Sequence, residues 1–566
     1  VCYGYNHNEV AIPQLINNTF IVKGKTLEID PTFKITGITN CSERPTVLAS
    51  LGCHVRGACL PHPNPKHTDT VILGSMYRFC RKIEFKMPPE FGVFVETWIK
   101  QNLKPLSNET DRTFETWLNN TPYTQARKTE LAQVRDEFHY VNDLSSIPDK
   151  EMKKILKVKS FIKDETYPEY KHARAINSRS DIFKCLVGPL VQCISNVVFS
   201  MPWFIKKIPV NERPNYIIDN LLNDSCEYLL TDYTSFEAHF TKDMQEACEL
   251  KLFEYMTSQL PEGTSWFNFL KRAKTSTNHI HFNLFKMNVE AKRMSGEMDT
   301  SLSNGFSNLM FMLFTLSNLG YENHEINGIV EGDDGVFTLC RSPPNQAIFD
   351  SMGLNIKILK TAELSHASFC GMVFDLVDQT IIADPIEKLV SIGWTNSKYA
   401  ASRSGKLKCL LRSKALSCAY QYPSCPILSV FAKKIYVLTQ GHDVQSFINK
   451  HGSRIYDQHH LHLVQEAIKY FQENEIDDVP KERTRLLVEE LYGVTVAHQL
   501  KIEEYIRSMT TIQSIECDVL NDYLRQDWID YYNRYSHNAI KSDLSSSPVN
   551  SFGQSSGQPN YGGFLV

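Results

Sequence analysis

Three short stretches carry side chains that could do chemistry together. "LLTDYTSFEAHF", residues 229–240, holds Asp232 and Glu237; "MSGEMDTSLSNGFSN", residues 294–308, holds Ser295, Thr300 and Asn304; "NGIVEGDDGVFTLC", residues 327–340, holds the adjacent Asp333 and Asp334. Hard divalent cations bind carboxylate oxygens. Two such cations about 4 Å apart can hold the attacking and the leaving oxygen of a phosphoryl transfer. Asp232 and Asp333, delivered by different strands, suit that task, and a hydroxyl, an amide and a carboxylate nearby can test a ribose 2′-OH. The competing reading of the third stretch is an Asp334-Gly335 hairpin tip. Two like charges side by side repel each other, which makes a purely structural pair uncomfortable.

The elements that must position these groups are visible as patterns. The run Tyr228-Leu229-Leu230 delivers Asp232 at a strand end, and Glu237 follows where the chain turns into a helix. Ser295-Gly296 opens a loop, and Thr300 and Asn304 lie four apart on one face of the next helix. That helix, "NGFSNLMFMLFTLSNLGY", should end at Gly320. Upstream, "MKKILKVKSFIKDETYPEYKHARAINSRSDIFK" is rich in lysine and arginine, with "VKSFIK" and "HARAINS" as strand candidates. Tyr167 and Tyr170 within it suit base stacking or core packing equally. Residues 213–223 and 243–260 read as helices, the chain beyond about 385 is mostly helical, and residues 1–150 read as short strands and loops. Cys41, Cys53, His54, Cys59, His62, His67 and Cys80 lack the usual tight paired-cysteine spacing, so ordinary buried cysteines are the better reading and a structural zinc the alternative. The Ser/Gly/Gln-rich end reads as a flexible tail.

A chain of 566 residues calls for several subdomains. Its 42% hydrophobic and 22% charged content is that of a soluble globular protein. A net charge of -4 excludes a global nucleic-acid signature, so any such binding needs local basic surface. Fifteen cysteines, an odd number in no dense framework, favour a reducing compartment. The first residues show no secretory pattern, and the missing initiator Met suggests a processed or truncated product. No apolar run looks long enough to span a bilayer; "LMFMLFTLSNLG" comes nearest.

Taken in order, these motifs resemble an RNA-dependent RNA polymerase of a positive-strand RNA virus, of the tombusvirus-like and nodavirus-like group. "DYTSFEAH" resembles motif A, "SGEMDTSLSNG" motif B and "GDD" motif C; "NIKILKTAELSHASFCG" is similar to motifs D and E, and "KDETYPEYKHARAI" to the basic motif F. "LLRSKALSCAYQYPSCPI" is similar to the thumb segment that follows. The motifs cover residues 159–375, with weaker likeness to about 505.

The resemblance implies Asp232 and Asp333 as metal-bridging carboxylates and Asp334 as an outer or second ligand. It implies Glu237 and Asn304 as ribose readers supported by Ser295 and Thr300. Lys163, Lys171 and Arg174 would grip the triphosphate, and Lys357 or Lys360 would protonate pyrophosphate. Cys370 would have no chemistry and His239 a structural role. The family has Asp where Glu237 stands, and the extra methylene extends the carboxylate by about 1.5 Å. The implied cofactor is Mg²⁺, or Mn²⁺ in its place. The implied partners are template and nascent RNA, NTPs and other viral replication proteins, with no membrane anchor in this chain. The implied location is the host-cell cytoplasm at membrane-associated replication complexes.

The expected fold is α+β, a right hand of fingers, palm and thumb. Its parts would be an N-terminal extension and fingertip region (1–150), fingers with motif F (151–223), palm motif A (224–245), a fingers insertion (246–285), palm motifs B to E (286–384), thumb (385–540) and tail (541–566). A reverse transcriptase or DNA polymerase, and an inactive RNA-binding scaffold, are the competing functions. The first is disfavoured by Asn304 and Glu237, the second by the intact aspartates.

Overall fold

The computed structural model describes residues 1–536 except 7–13, 17–18, 23–24, 40–46, 397–398, 400–401 and 456–457. Cys41 and the expected tail, 541–566, lie outside the described residues. Helices are mixed with several small sheets, a composition compatible with the α+β class.

A four-stranded antiparallel sheet occupies the centre. Its strands run, in space, Ile326–Glu331, Asp334–Leu339, Glu227–Tyr233 and Ile356–Thr361. In sequence they alternate with helices Thr300–Asn318 and Gln346–Ser351, giving a β-α-β-β-α-β path. The strand Glu227–Tyr233 lies between two neighbours and is covered on both faces. Leu229 and Tyr233 enter a core with Phe306, Leu309 and Met310 of helix Thr300–Asn318. Tyr228 and Leu230 enter another with Ile217, Leu221 and Phe374. Each large apolar side chain so buried stabilises the fold by roughly 1.5–3 kcal/mol. Because side chains alternate, Asp232 projects from the Tyr228/Leu230 face, and it is exposed. Helix Thr300–Asn318 is buried at every position from Leu302 to Leu316, as a helix apolar on all sides must be.

A five-stranded sheet beside it runs Lys34–Ile38, Phe285–Glu290, Thr277–His281, Val158–Ile162 and Ala175–Arg179. Both strands read in the basic stretch are therefore present. The expected 243–260 helix breaks at Cys248 into Lys242–Ala247 and Glu249–Thr257.

The N-terminal third differs from its expected pattern of strands and loops. Residues 68–155 are largely helical: Thr68–Arg78, Glu90–Asn102, Phe114–Asn120, Gln125–Asp136 and Asp149–Ile155. The signal was present, since Phe91, Val95, Trp98 and Ile99 follow helical spacing and are the buried face of their helix. Thr113 and Thr124 cap their helices by accepting N–H bonds. The first residues are no free extension. Cys2–Tyr3 and Trp394–Asn396 both pair with Val47–Ser50, and Cys2 bridges Ser536.

Two sequence expectations need correction. Helix Asp181–Val198 is long and apolar enough to cross a membrane by length and composition, although no such run was expected. Half of it is buried, with Phe183, Val187, Leu190 and Ile194 in the same core as Phe306, Leu309 and Met310. Cys226 and Cys340 form a disulfide, joining the start of the central strand to the residue after its neighbour. Their separation of 114 residues hid the pairing from sequence.

Candidate active site

Register locates the tip of the Asp333-Asp334 hairpin. Glu331 pairs with Asp334, which leaves Gly332-Asp333 as a two-residue turn. Gly332 has φ +61, the left-handed conformation that such a turn requires at its first position, and Asp333 is not among the positive-φ residues. The tip is therefore Gly332-Asp333, not Asp334-Gly335, and Asp333 sits on a turn rather than a strand. Gly335 is needed for a different reason. A Cβ there would lie 2.8 Å from Thr231 Oγ1 and 3.0 Å from the Phe337 ring. Asn308, which sequence reasoning missed, fixes the tip by donating from Nδ2 to the carbonyls of Asp333 (3.0 Å) and Gly332 (3.3 Å). It lies four residues beyond Asn304, and that spacing was its only signal.

Gly335 pairs with Thr231, so the next step of the same register sets Asp334 beside Asp232. On the other edge Asp232 pairs with Lys357. Directly opposed residues share a face. Asp334, Asp232 and Lys357 thus form a row across three strands. Lys360 pairs with Leu229 and belongs to the opposite face, away from this row.

Electrostatics records the crowding. Burial, then the charge of Glu237, pushes the Asp333 carboxyl up to about 6, with Arg174 opposing and Asp232 adding a little. Burial, then Asp333 and Asp232, pushes Asp334 up to about 7. The nearby Cys370 thiol and N–H oppose that rise. Cys370, expected to be inert, is thus a neighbour of the acidic cluster, held at φ +53. Burial pushes its thiol well above the usual range.

Three aspartates supply only oxygen, the donor set of Mg²⁺ or Mn²⁺. The raised pKa values of Asp333 and Asp334 mark a site whose negative charge a cation would relieve. The donor chemistry fits. Among the described residues, no three His, Cys, Asp or Glu side chains form a ready-made metal-binding group. The aspartates converge on one region without closing into a cage.

The basic residues separate. Lys163 N–H donates to the Arg174 carbonyl at 2.8 Å, closing the loop between strands Val158–Ile162 and Ala175–Arg179. Glu165 lies 3.1 Å from Lys163 Nζ and 3.6 Å from Arg174 Nε. Arg174 reaches the acidic cluster, since its charge acts on Asp333. Lys171 instead pairs with Glu169 at 3.3 Å and acts on Glu387. Arg78, at the end of an apolar helix and invisible to motif reading, donates to the His172 carbonyl at 2.9 Å and lies near Arg174 and Glu237. Tyr167 is buried, its hydroxyl donating to Glu165 at 3.0 Å, and Tyr170 packs edge-on against Tyr5.

On the side expected to read ribose, Glu237 is half-buried in a 3-10 turn entered through left-handed Ser235. It joins the acidic cluster, acting on both Asp333 and Arg174. Asn304 is buried, and its Oδ1 accepts from Arg293 Nη1 at 2.6 Å. Ser295 and Thr300 do not reach Asn304 through their hydroxyls. Ser295 Oγ donates to Ala175 O at 3.0 Å, and Thr300 Oγ1 to Glu297 O at 2.9 Å, so both shape the loop. His239 accepts from the Asn355 N–H at 2.8 Å and contacts the Phe236 carbonyl at 3.1 Å. Burial lowers its pKa to about 4.

Behind Asn304 lies a buried charge network no motif announced. Arg293 pairs with Glu249, and Arg179 with Glu297. Lys274 Nζ is 2.6 Å from Asp299, 3.0 Å from Glu249 and 3.4 Å from Glu297. Burial opposes the Lys274 charge, yet Asp299 and Glu297 hold its pKa above the usual value. No family model matches this sequence, and no curated protein matches it.

Proposed function

We propose that the chain is a template-directed RNA polymerase that joins ribonucleoside triphosphates and releases pyrophosphate, with the central sheet as the palm of a right-hand architecture. The observation that carries this reading is the gathering of Asp232, Asp334 and Asp333 on one strand end and the adjoining hairpin, with Arg174 opposite and Lys357 in the same row. Hydrolytic metal sites also use carboxylates. The ordered motifs A, B, C and the basic loop favour nucleotidyl transfer.

In this reading Asp232, Asp333 and Asp334 would hold divalent cations, which when bound would activate the attacking hydroxyl and offset charge on the transferring phosphate. Arg174 would orient the triphosphate, its planar fork matching phosphate oxygens. Lys357 would supply the proton to the departing pyrophosphate. Asn304 would offer its amide to the ribose from a side chain already fixed by Arg293, and Glu237 would complete that contact. A site built to bond a hydroxyl rejects the analogue lacking it, so NTPs would be preferred to dNTPs. Such an enzyme would replicate and transcribe a viral RNA genome, beside other replication proteins in the host cytoplasm.

The test is incorporation of labelled nucleotide on a defined RNA template, with and without primer, with Mg²⁺ or with chelator. Metal-dependent incorporation of NTPs supports the reading. Preferential use of dNTPs would make the chain a reverse transcriptase or DNA polymerase. RNA binding with no incorporation under any of these conditions would leave only a scaffold.

A further inference from the structure

The basic stretch contains two populations of cations. Lys154, Lys163, Lys171, Arg174 and Lys184 each lie 2.9 to 3.6 Å from a carboxylate. Lys157 and Lys159 pair with none among the described residues, and neither does Lys286. These unpaired cations gather on the five-stranded sheet. Val158 and Ile162 turn inward against helix Thr68–Arg78, while Lys159 and Phe161 turn outward, Phe161 being 57% exposed.

Register extends the outward row. Lys159 pairs with Ser178 on one side and His281 on the other, and His281 pairs with Lys286. At about 4.8 Å per strand, these four positions span about 14 Å. Burial lowers the His281 pKa and the charges of Lys157 and Lys286 lower it further, so both lysines lie close to the His281 ring. The five strands carry a single carboxylate, Glu290, at the far corner opposite Thr277. On a chain of net charge -4 this face is a local reversal of sign.

We propose that the outward face of this sheet binds single-stranded RNA, with phosphates on Lys159, Lys286 and Lys157 and a base stacked on Phe161. A sheet face with one exposed aromatic ring among cations matches the alternation of phosphate and base. A lipid surface would call instead for a broad apolar face, which is absent from this sheet. Phe161 precedes by two residues Lys163, whose N–H closes the loop carrying Arg174, so a bound strand is led toward the aspartates. The site deepens the polymerase reading by adding a strand-binding surface outside the catalytic carboxylates; binding itself does not depend on catalysis.

The test uses the full chain and fluorescence anisotropy with a labelled RNA of about 12 nucleotides. Phe161→Ala should weaken binding about tenfold. Lys159→Gln with Lys286→Gln should flatten the dependence of log affinity on log salt by about 1.4, roughly 0.7 for each phosphate no longer neutralised. Both sets of side chains are exposed, so thermal unfolding should not change, and Asp333→Asn should bind RNA as the parent does. Unchanged affinity and salt slope in both variants would overturn the proposal. So would a loss of binding to phosphatidylserine vesicles with RNA affinity intact. If the chain incorporates no nucleotide but the variants lose RNA, this face stands and the polymerase reading falls. If it polymerises and the variants bind RNA normally, only this face falls.

Discussion

Replacing Arg293 by methionine should be among the most damaging single changes in the core. Three cations, Arg179, Lys274 and Arg293, balance three anions, Glu249, Glu297 and Asp299, and none of the six side chains is more than 2% exposed. Arg293→Met leaves one net negative charge there. Removing one partner of a buried pair costs about 3–5 kcal/mol. Lys274, 3.0 Å from Glu249, retains part of the compensation, which argues for the lower end. The Asn304 carbonyl loses its donor, which adds about 1 kcal/mol. The expected loss is about 4 kcal/mol in total. Adding Glu249→Gln restores neutrality and should recover about half. Urea unfolding followed by tryptophan fluorescence reads this, since Trp266 lies in the adjoining core. A loss below about 1 kcal/mol, or a double variant as costly as the sum of the singles, would refute the reasoning. Discrimination between NTP and dNTP is a second readout, because Asn304 loses its fixed orientation. An unchanged ratio would make the network purely structural.

Lys357→Leu should slow incorporation about 100-fold, while Lys360→Leu, on the opposite face, should stay near the parent rate; single-turnover kinetics compare them. Arg174→Ala should raise the apparent KM for NTPs well above that of Lys171→Ala, because only Arg174 reaches the acidic cluster; steady-state kinetics with both variants decide. His239 has a folded pKa near 4 against an ordinary value of 6.5, so below pH 6.5 the unfolded chain takes up a proton that the native one refuses. Its contribution to stability is therefore complete above pH 6.5 and is lost as pH falls toward 4. His239→Gln should reduce the slope of stability against pH in that window, as measured by urea midpoints.

Much of this arrangement was legible in the sequence because local patterns carried it. The runs around Asp232 and Asp333-Asp334 became strands, and "NGFSNLMFMLFTLSNLGY" became a helix ending just before Gly320. What escaped was set by register or by contacts between distant segments. Spacing left Lys357 and Lys360 equivalent; one pairing, Lys357 with Asp232, separates them. The turn moved two residues because Gly332, not Gly335, takes the left-handed conformation. Arg78, Arg293 and Asn308 stand in apolar or ordinary surroundings and gain meaning only when the chain brings them to Glu237, Asn304 and the hairpin tip. The helices of residues 68–155 were legible in principle, as the spacing of Phe91, Val95 and Ile99 demonstrates.

The most direct measurement is single-nucleotide incorporation by Asp333→Asn on a primed RNA template in Mg²⁺ and in Mn²⁺. Asparagine keeps the size of the turn residue and removes only the charge, and Gly332 with Asn308 would hold the tip as before. Nucleotidyl transfer by this cluster requires incorporation to fall at least about 1,000-fold, with unfolding and RNA affinity unchanged. Incorporation near the parent rate in either metal would contradict the assignment of these aspartates to the reaction.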